Sequence, residues 1–363
     1  MTVGARVVAL RERLVQVPLD AMFVTTVANV RYATGFADVF DDEAAVAALV
    51  THDEAVLFTD SRYVEAVRSA ADGTPWEVVL ATGPLFEPAL ERIAASGTKA
   101  LALESGLPYR RYRMIAERFE GRLEVLDDVI EQLREVKDAE ETARIEAACA
   151  LGDRAFDYVL GVLAPGLREI DVALELEVFM RRNGSEGLAF PSIVASGPHS
   201  SMPHAGVTHR VLEQGDVLTM DFGARIGGYC SDMTRTVVLG TATEEVRRVH
   251  AAVLEAQRTG VAGVAAGKTG IEIDAAARDA LARVGLAEHF GHGLGHGVGL
   301  AVHELPSVSQ RGERVVKAGS VITIEPGVYL QGRFGVRIED CIVVEDGGCR
   351  VLTRSPAELI ELN

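Results

Sequence analysis

Residues 216–239 read DVLTMDFGARIGGYCSDMTRTVVL. The stretch has the form of two strands joined by a tight turn: residues 219–222 lead in, Arg225-Ile226-Gly227-Gly228 turns, and residues 229–238 lead out. Alternating apolar and polar residues around a glycine-containing turn are a hairpin signal. With the turn centred on Ile226-Gly227, Asp221 faces Asp232 across the ladder, with about 4.5–5.5 Å between their Cβ atoms. Two carboxylates so placed repel unless a cation or a shared proton lies between them. Taken alone, a pair of solvated aspartates on an exposed face accounts for the pattern equally well, and the rest of the chain has to decide.

The chain has 363 residues, long enough for two domains with sizeable cores. A net charge of −17 argues against nucleic acid or an anionic membrane as a partner. No stretch supplies the ~18 apolar residues of a membrane span, and the start has no signal-peptide pattern, so a cytoplasmic protein is expected. Cys149, Cys230, Cys341 and Cys349 show no paired spacing and read as reduced thiols, mostly packed as small apolar groups.

Working outward, residues 4–16 have helical period and residues 21–26 form a short apolar run. Strand-like segments at 45–51, 55–59, 77–81, 99–104 and 122–126 alternate with helical ones at 61–71, 84–95 and 108–119. That alternation predicts an α/β domain over residues 1–130. Residues 129–137 read as a connecting helix, with 131–137 linking this domain to an α+β domain over 138–363. Asp138, with Glu141 three residues on, has the spacing of a capping box. Helical pattern runs to Asn183 with a break at Ala164-Pro165-Gly166, and again from Glu244 to Val284 with a break at Ala266-Gly267-Lys268; strands follow each. The order helix, break, helix, strands thus occurs twice, a pseudo-two-fold internal repeat. Glu-Ile-Asp recurs just after each break, at 169–171 and 272–274, a likeness that chance explains about as well.

Three more runs carry chemistry. In Gly291-His-Gly-Leu-Gly-His296-Gly-Val-Gly-Leu300, helical histidines four apart would share a metal. Glycine at every second position disfavours a helix by about 0.8–1.0 kcal/mol each relative to alanine. Extended, His292 and His296 stand roughly 13 Å apart, so only one of them can reach a given metal. Thr323-Ile324-Glu325-Pro326-Gly327 and Gly335-Val336-Arg337-Ile338-Glu339-Asp340 each set an acid inside an apolar strand pattern, where an unpaired carboxylate is costly to bury. Arg337 and Glu339 share a strand face and are expected to pair.

The motifs DFG…SDMTRT, HGLGHGVGL…HE, TIEPG and GVRIED, in that order, resemble the metallopeptidases of the pita-bread fold, and the preceding domain is similar to that of their proline-specific branch. The resemblance implies Asp221, Asp232, His296, Glu325 and Glu339 as ligands of two divalent ions, with Asp232 and Glu339 bridging. Mn²⁺ suits an oxygen-rich set with one imidazole better than Co²⁺ or Zn²⁺. It further implies Glu325 as the proton carrier, His303 and His204 as groups that steady the substrate or its tetrahedral intermediate, and Arg337 and His292 as supporting groups around the ligands. The activity implied is hydrolysis of Xaa-Pro bonds in di- or short peptides by a homodimer: an Xaa-Pro dipeptidase, or alternatively an Xaa-Pro aminopeptidase acting on longer peptides. Relatives that only bind, or that hydrolyse without metal, lack ligands that are all present here. One departure stands out: many similar prolidases carry an arginine four residues after the position of His303, proposed to hold the dipeptide carboxylate, whereas this chain has Ser307. If the chain is a dipeptidase, the charge must come from elsewhere: Arg337, or a basic residue of the N-terminal domain, for which Arg62 and Arg31 are candidates.

Overall fold

The computed structural model describes residues 2–362, which divide into two compact units meeting between Arg134 and Glu135. In the first, the fully buried strand Ala21–Val24 pairs antiparallel with Val46–Thr51 and parallel with Ala100–Glu104. Strands Ala55–Thr59 and Glu77–Leu80 extend one edge and Arg122–Leu126 the other, giving a six-stranded mixed sheet. The central strands are buried on both faces, which is why they read as unbroken apolar runs. Phe23, Leu49, Phe58, Ile93 and Leu101 form the core beneath the helices, each burial stabilising by roughly 1.5–3 kcal/mol.

Two segments differ from expectation. Helix Val27–Thr34 is buried on nearly every side, so its sequence lacks the one-sided apolar stripe that announces a helix. The connecting helix shrinks to one turn, Glu131–Arg134. Beyond it Val136 bridges antiparallel to Ser320, and the Lys137 amide donates to Gly319 O at 2.9 Å. Strand pairing there takes the backbone groups that a longer helix would have used.

The second unit is built from two similar halves. Helices Ala139–Leu160 and Glu169–Arg182 precede strands Ile193–Ser196, Val217–Phe222 and Met233–Leu239. Helices Glu244–Gly263 and Gly270–Ala282 precede strands Gly295–Gly297, Val321–Ile324 and Asp340–Glu345. Each half has its own apolar core, around Phe156, Leu176 and Phe222 in one and Val253, Ile273 and Ile342 in the other. The halves match in detail: Gly166 N donates to Leu212 O and Gly267 N to Val316 O, both at 2.9 Å, and the bridges Arg168–Val211 and Thr269–Val315 correspond. Asp171 and Glu272 accept from the backbone N–H just before their helices, at 2.9 and 2.7 Å. The true equivalents are therefore Asp171 and Glu272, and the shared Glu-Ile-Asp letters lie two residues out of step with the repeat. The capping box at Asp138 forms as expected, its carboxylate accepting from Glu140 N and Glu141 N while Glu141 accepts from Asp138 N.

The central hairpin forms with a different register. Gly227 and Gly228 have φ of 54° and 78°, both left-handed, so the two-residue turn centres on them rather than on Ile226-Gly227. Tyr229 pairs with Ile226, and Asp221 lies opposite Thr234, not Asp232. The slip is two residues. Because side chains alternate with period two, Asp221 and Asp232 keep the same face as diagonal neighbours.

Candidate metal centre

The acids and His296 gather where strands of the two halves meet. Asp221 lies on strand Val217–Phe222 and Asp232 just before Met233–Leu239; His296 is the middle residue of Gly295–Gly297; Glu325 follows Val321–Ile324, and Glu339 precedes Asp340–Glu345. Asp232, His296 and Glu339 offer ligand atoms all within 4.8 Å of one another. His296 Nε2 stands 3.6 Å from Asp232 Oδ2 and 3.4 Å from Glu325 Oε1. Its Nδ1 lies 3.1 Å from Gly297 O, and a carbonyl only accepts, so Nδ1 carries the proton. Burial holds this imidazole neutral, its pKa pushed down to about 4. The Nε2 lone pair therefore points at carboxylate lone pairs, an arrangement that suits an intervening cation.

The acids have the same need. Burial, Glu339 and Asp221 push Asp232 well above the usual carboxylate range. Burial, then Glu325 and Asp221, does the same to Glu339. Burial first, with Asp221 adding to it, raises Glu325 to about 8. Among the described residues, Asp221 Oδ1 is buried with no hydrogen-bond partner. A buried orphan acceptor beside three like-charged carboxyls and an imidazole lone pair is the donor set of a hard or borderline divalent ion. The residues fit such ions.

Around this cluster, Arg337 Nη2 donates to Asp221 Oδ2 at 2.6 Å, Nε to Thr234 Oγ1 at 3.0 Å, and Nη1 to Tyr329 OH at 2.8 Å and Pro203 O at 3.2 Å. Its ion pair is thus with Asp221 of the central hairpin, while Glu339 accepts from Thr234 Oγ1 at 2.7 Å. His292 does not join the acids; its Nε2 lies 3.0 Å from Tyr329 OH. His204 and His303 line the same cavity, of about 780 Å³, and the His303 ring lies 4.2 Å from that of His296, centroid to centroid. Glu169, fully buried at the start of its helix, holds both ends of the loop that carries His204. It accepts from Ser196 N and Oγ at 2.8 Å, from Thr208 N and Oγ1, and contacts His199 Nδ1 at 2.9 Å.

Ser307 lines the cavity and brings no charge. Arg31 is buried against Asp42, and Arg62 pairs with Asp60. Tyr329, Thr234 and Glu169 escaped sequence reasoning. Tyr329 left a trace: a Cβ at Gly327 would meet its hydroxyl at 2.5 Å and one at Gly335 its ring at 2.8 Å, so glycines on the paired strands make room for the ring.

The description "Metallopeptidase family M24" matches residues 143–346, and "Creatinase/Prolidase N-terminal domain" matches residues 6–136. The sequence is 36% identical to an Xaa-Pro dipeptidase of Pyrococcus horikoshii over 94% of this chain and 95% of that one. The fold is similar to that of an Xaa-Pro dipeptidase from Bacillus anthracis, with 36% identity, a TM-score of 0.94, and 99% and 100% of the two chains covered. It is also similar to an X-Pro aminopeptidase from Thermotoga maritima, again with 36% identity, a TM-score of 0.86, and 97% and 100% covered.

Proposed function

The chain belongs to metallopeptidase family M24, and from that premise we propose that it hydrolyses Xaa-Pro bonds, with dipeptides as the favoured substrates. The observation that carries the metal-dependent reading is the orphaned Asp221 Oδ1 set among carboxyls that cannot all ionise without positive charge. Asp221, Asp232, His296, Glu325 and Glu339 would hold two divalent ions, Mn²⁺ being the proposed metal for so oxygen-rich a set. Bound there, such ions supply a water deprotonated near neutral pH and a polarised scissile carbonyl.

The chain's own groups do the rest. Glu325 takes the proton of the attacking water and passes it to the leaving proline nitrogen. His303, kept neutral by burial, and His204 donate hydrogen bonds to the carbonyl oxygen as negative charge grows on it. Arg337 fixes the orientation of Asp221 and offsets charge behind it. A homodimer and a cytoplasmic location belong to the same proposal; that Cys149, Cys230, Cys341 and Cys349 form no disulfide among the described residues supports the second.

Ser307 favours a second reading, an Xaa-Pro aminopeptidase, because an uncharged wall leaves room for a longer peptide. Two measurements test the proposal. EDTA should abolish hydrolysis of Ala-Pro and Mn²⁺ restore it; activity that survives chelation sinks the metal-dependent reading. A kcat/KM for Ala-Pro-Ala equal to or above that for Ala-Pro moves the assignment to the aminopeptidase.

A further inference from the structure

Helix Glu169–Arg182 turns one face toward the cavity: Ile170, Ala173 and Glu177, at the spacing of successive helical turns, all line it. Phe190, Pro191 and Val207 line it as well, so this part of the wall is apolar apart from one carboxylate. The neighbouring acid Glu175 is hydrogen-bonded to Tyr158 OH, and Arg168 is taken by Asp171. Glu177, half-buried, has no ion pair or hydrogen bond to any described residue. The metal-ligand carboxyls are not competitors for the same role, because cations between them would neutralise their charge.

The wall is joined to the cluster by the sheet. Strand Ile193–Ser196 begins just after Phe190-Pro191, and Ile193 lies opposite Asp221 in register. A substrate side chain leaving the reacting bond on this side runs along apolar surface and ends near a free negative charge. At about 780 Å³ the cavity has room beyond an Ala-Pro dipeptide for such a chain. A long methylene stem with a cationic head matches both features.

Resting on the Xaa-Pro reading above, we propose that Glu177 is a specificity-determining residue that selects peptides whose first residue is lysine or arginine. The methylenes lie against Ile170, Ala173 and Phe190, and the charged head pairs with Glu177.

The test compares Lys-Pro with norleucine-Pro, which keeps the stem and lacks the charge. In the metal-loaded protein the kcat/KM ratio should favour Lys-Pro by about three- to tenfold, the range of a partly solvated ion pair. Glu177→Gln should bring the ratio to near one, and Glu177→Lys should invert it and favour Glu-Pro over Lys-Pro. Circular dichroism of both variants checks that the helix is retained. A ratio that is the same in wild type and Glu177→Gln overturns the proposal. Calorimetric binding of the two dipeptides to wild type and Glu177→Gln gives a readout that needs no turnover. If neither peptide is cleaved by wild type but Lys-Pro binds more tightly in a Glu177-dependent way, the Xaa-Pro reading fails and the cationic subsite stands; equal binding overturns the subsite.

Discussion

Replacing Gly295 by alanine should unseat His296 without touching its side chain. A methyl group at Gly295 would sit 2.0 Å from Thr323 O and 2.7 Å from the carbonyl carbon, both backbone atoms of the neighbouring strand. Real Cβ contacts do not fall below 3.0 Å, so strands Gly295–Gly297 and Val321–Ile324 must part by about 1 Å. That movement stretches two hydrogen bonds: Glu325 N to Leu294 O, now 2.7 Å, and His296 N to Thr323 Oγ1, now 3.1 Å. Losing both costs about 2 kcal/mol, and forcing the methyl into a filled space another 1–3 kcal/mol. The sum, about 3–5 kcal/mol, is a large part of a typical net stability of roughly 5–15 kcal/mol. An imidazole displaced by about 1 Å should lower kcat/KM about a hundredfold even where the fold survives. Gly291→Ala is the control, since its added methyl meets nothing within 4 Å. Urea unfolding of the two variants, with metal content by mass spectrometry and kcat/KM on Ala-Pro, measures each part. A Gly295→Ala protein within about 1 kcal/mol of wild type and fully active would refute the reasoning.

Other outcomes follow from the same geometry. His296→Ala should lower bound metal, whereas His292→Ala, which loses a contact with Tyr329, should keep two ions per chain; equal losses in metal analysis would contradict the placement of the two rings. Lys137 Nζ and Glu304 Oε1 form a 2.7 Å ion pair with both side chains almost fully buried. Lys137→Met should therefore destabilise by about 3–5 kcal/mol by stranding a carboxylate, and adding Glu304→Gln should recover much of it; no recovery in urea unfolding would mean the lysine acts by packing alone. His250 is buried and its pKa is pushed down to about 4 by burial, below the unfolded value near 6.5. The unfolded chain then binds the proton more readily, so the His250 contribution is intact above pH 6.5 and is lost as pH falls toward 4. Its ceiling is about 3 kcal/mol. His250→Gln should flatten the stability curve in that window by up to about 1.4 kcal/mol per pH unit, and an unchanged slope would count against it.

Local signals carried much of the architecture. The capping box at Asp138, the breaks at Pro165 and Gly267, and the glycines around His296 act within a few residues of themselves, so their sequence meaning survives in the fold. Most of the misreadings come from competition by distant parts of the chain, and one from local turn chemistry. The turn moved to Gly227-Gly228 because two left-handed residues match the strand twist better than one. The linker helix stopped because Val136 found Ser320. Arg337 was expected on Glu339, two residues on, but it ends strand Phe334–Arg337 and Glu339 lies beyond it, and its guanidinium instead meets Asp221 of another sheet at 2.6 Å. Helix Val27–Thr34 was hidden by being buried on nearly all sides. That Asp221, Asp232, His296, Glu325 and Glu339 belong together was legible through the order of their motifs, and the fold gathers them. Tyr329 and Glu169, which order the surroundings, bear on it only once the chain is folded.

The grip of Glu169 on both Ser196 and Thr208 has a consequence for motion. A carboxylate that closes a loop at its base meets the closure entropy there, and between those ends Ser200 Oγ accepts from Gly335 N at 2.9 Å and Pro203 O from Arg337 at 3.2 Å, which leaves His204 as an exposed residue on a pinned loop. Reorientation of the exposed His204 side chain then proceeds on the picosecond-to-nanosecond scale of side-chain rotamers, while strand Ile193–Ser196 opens only with its sheet. Amide hydrogen exchange should be slow at Ser196, whose N–H is buried on Glu169, and at Met202, whose N–H donates to His199 O at 3.2 Å, and faster at His204. The imidazole is thereby free to follow a substrate as it enters without disturbing Ile193, and hence without disturbing Asp221 directly across the ladder.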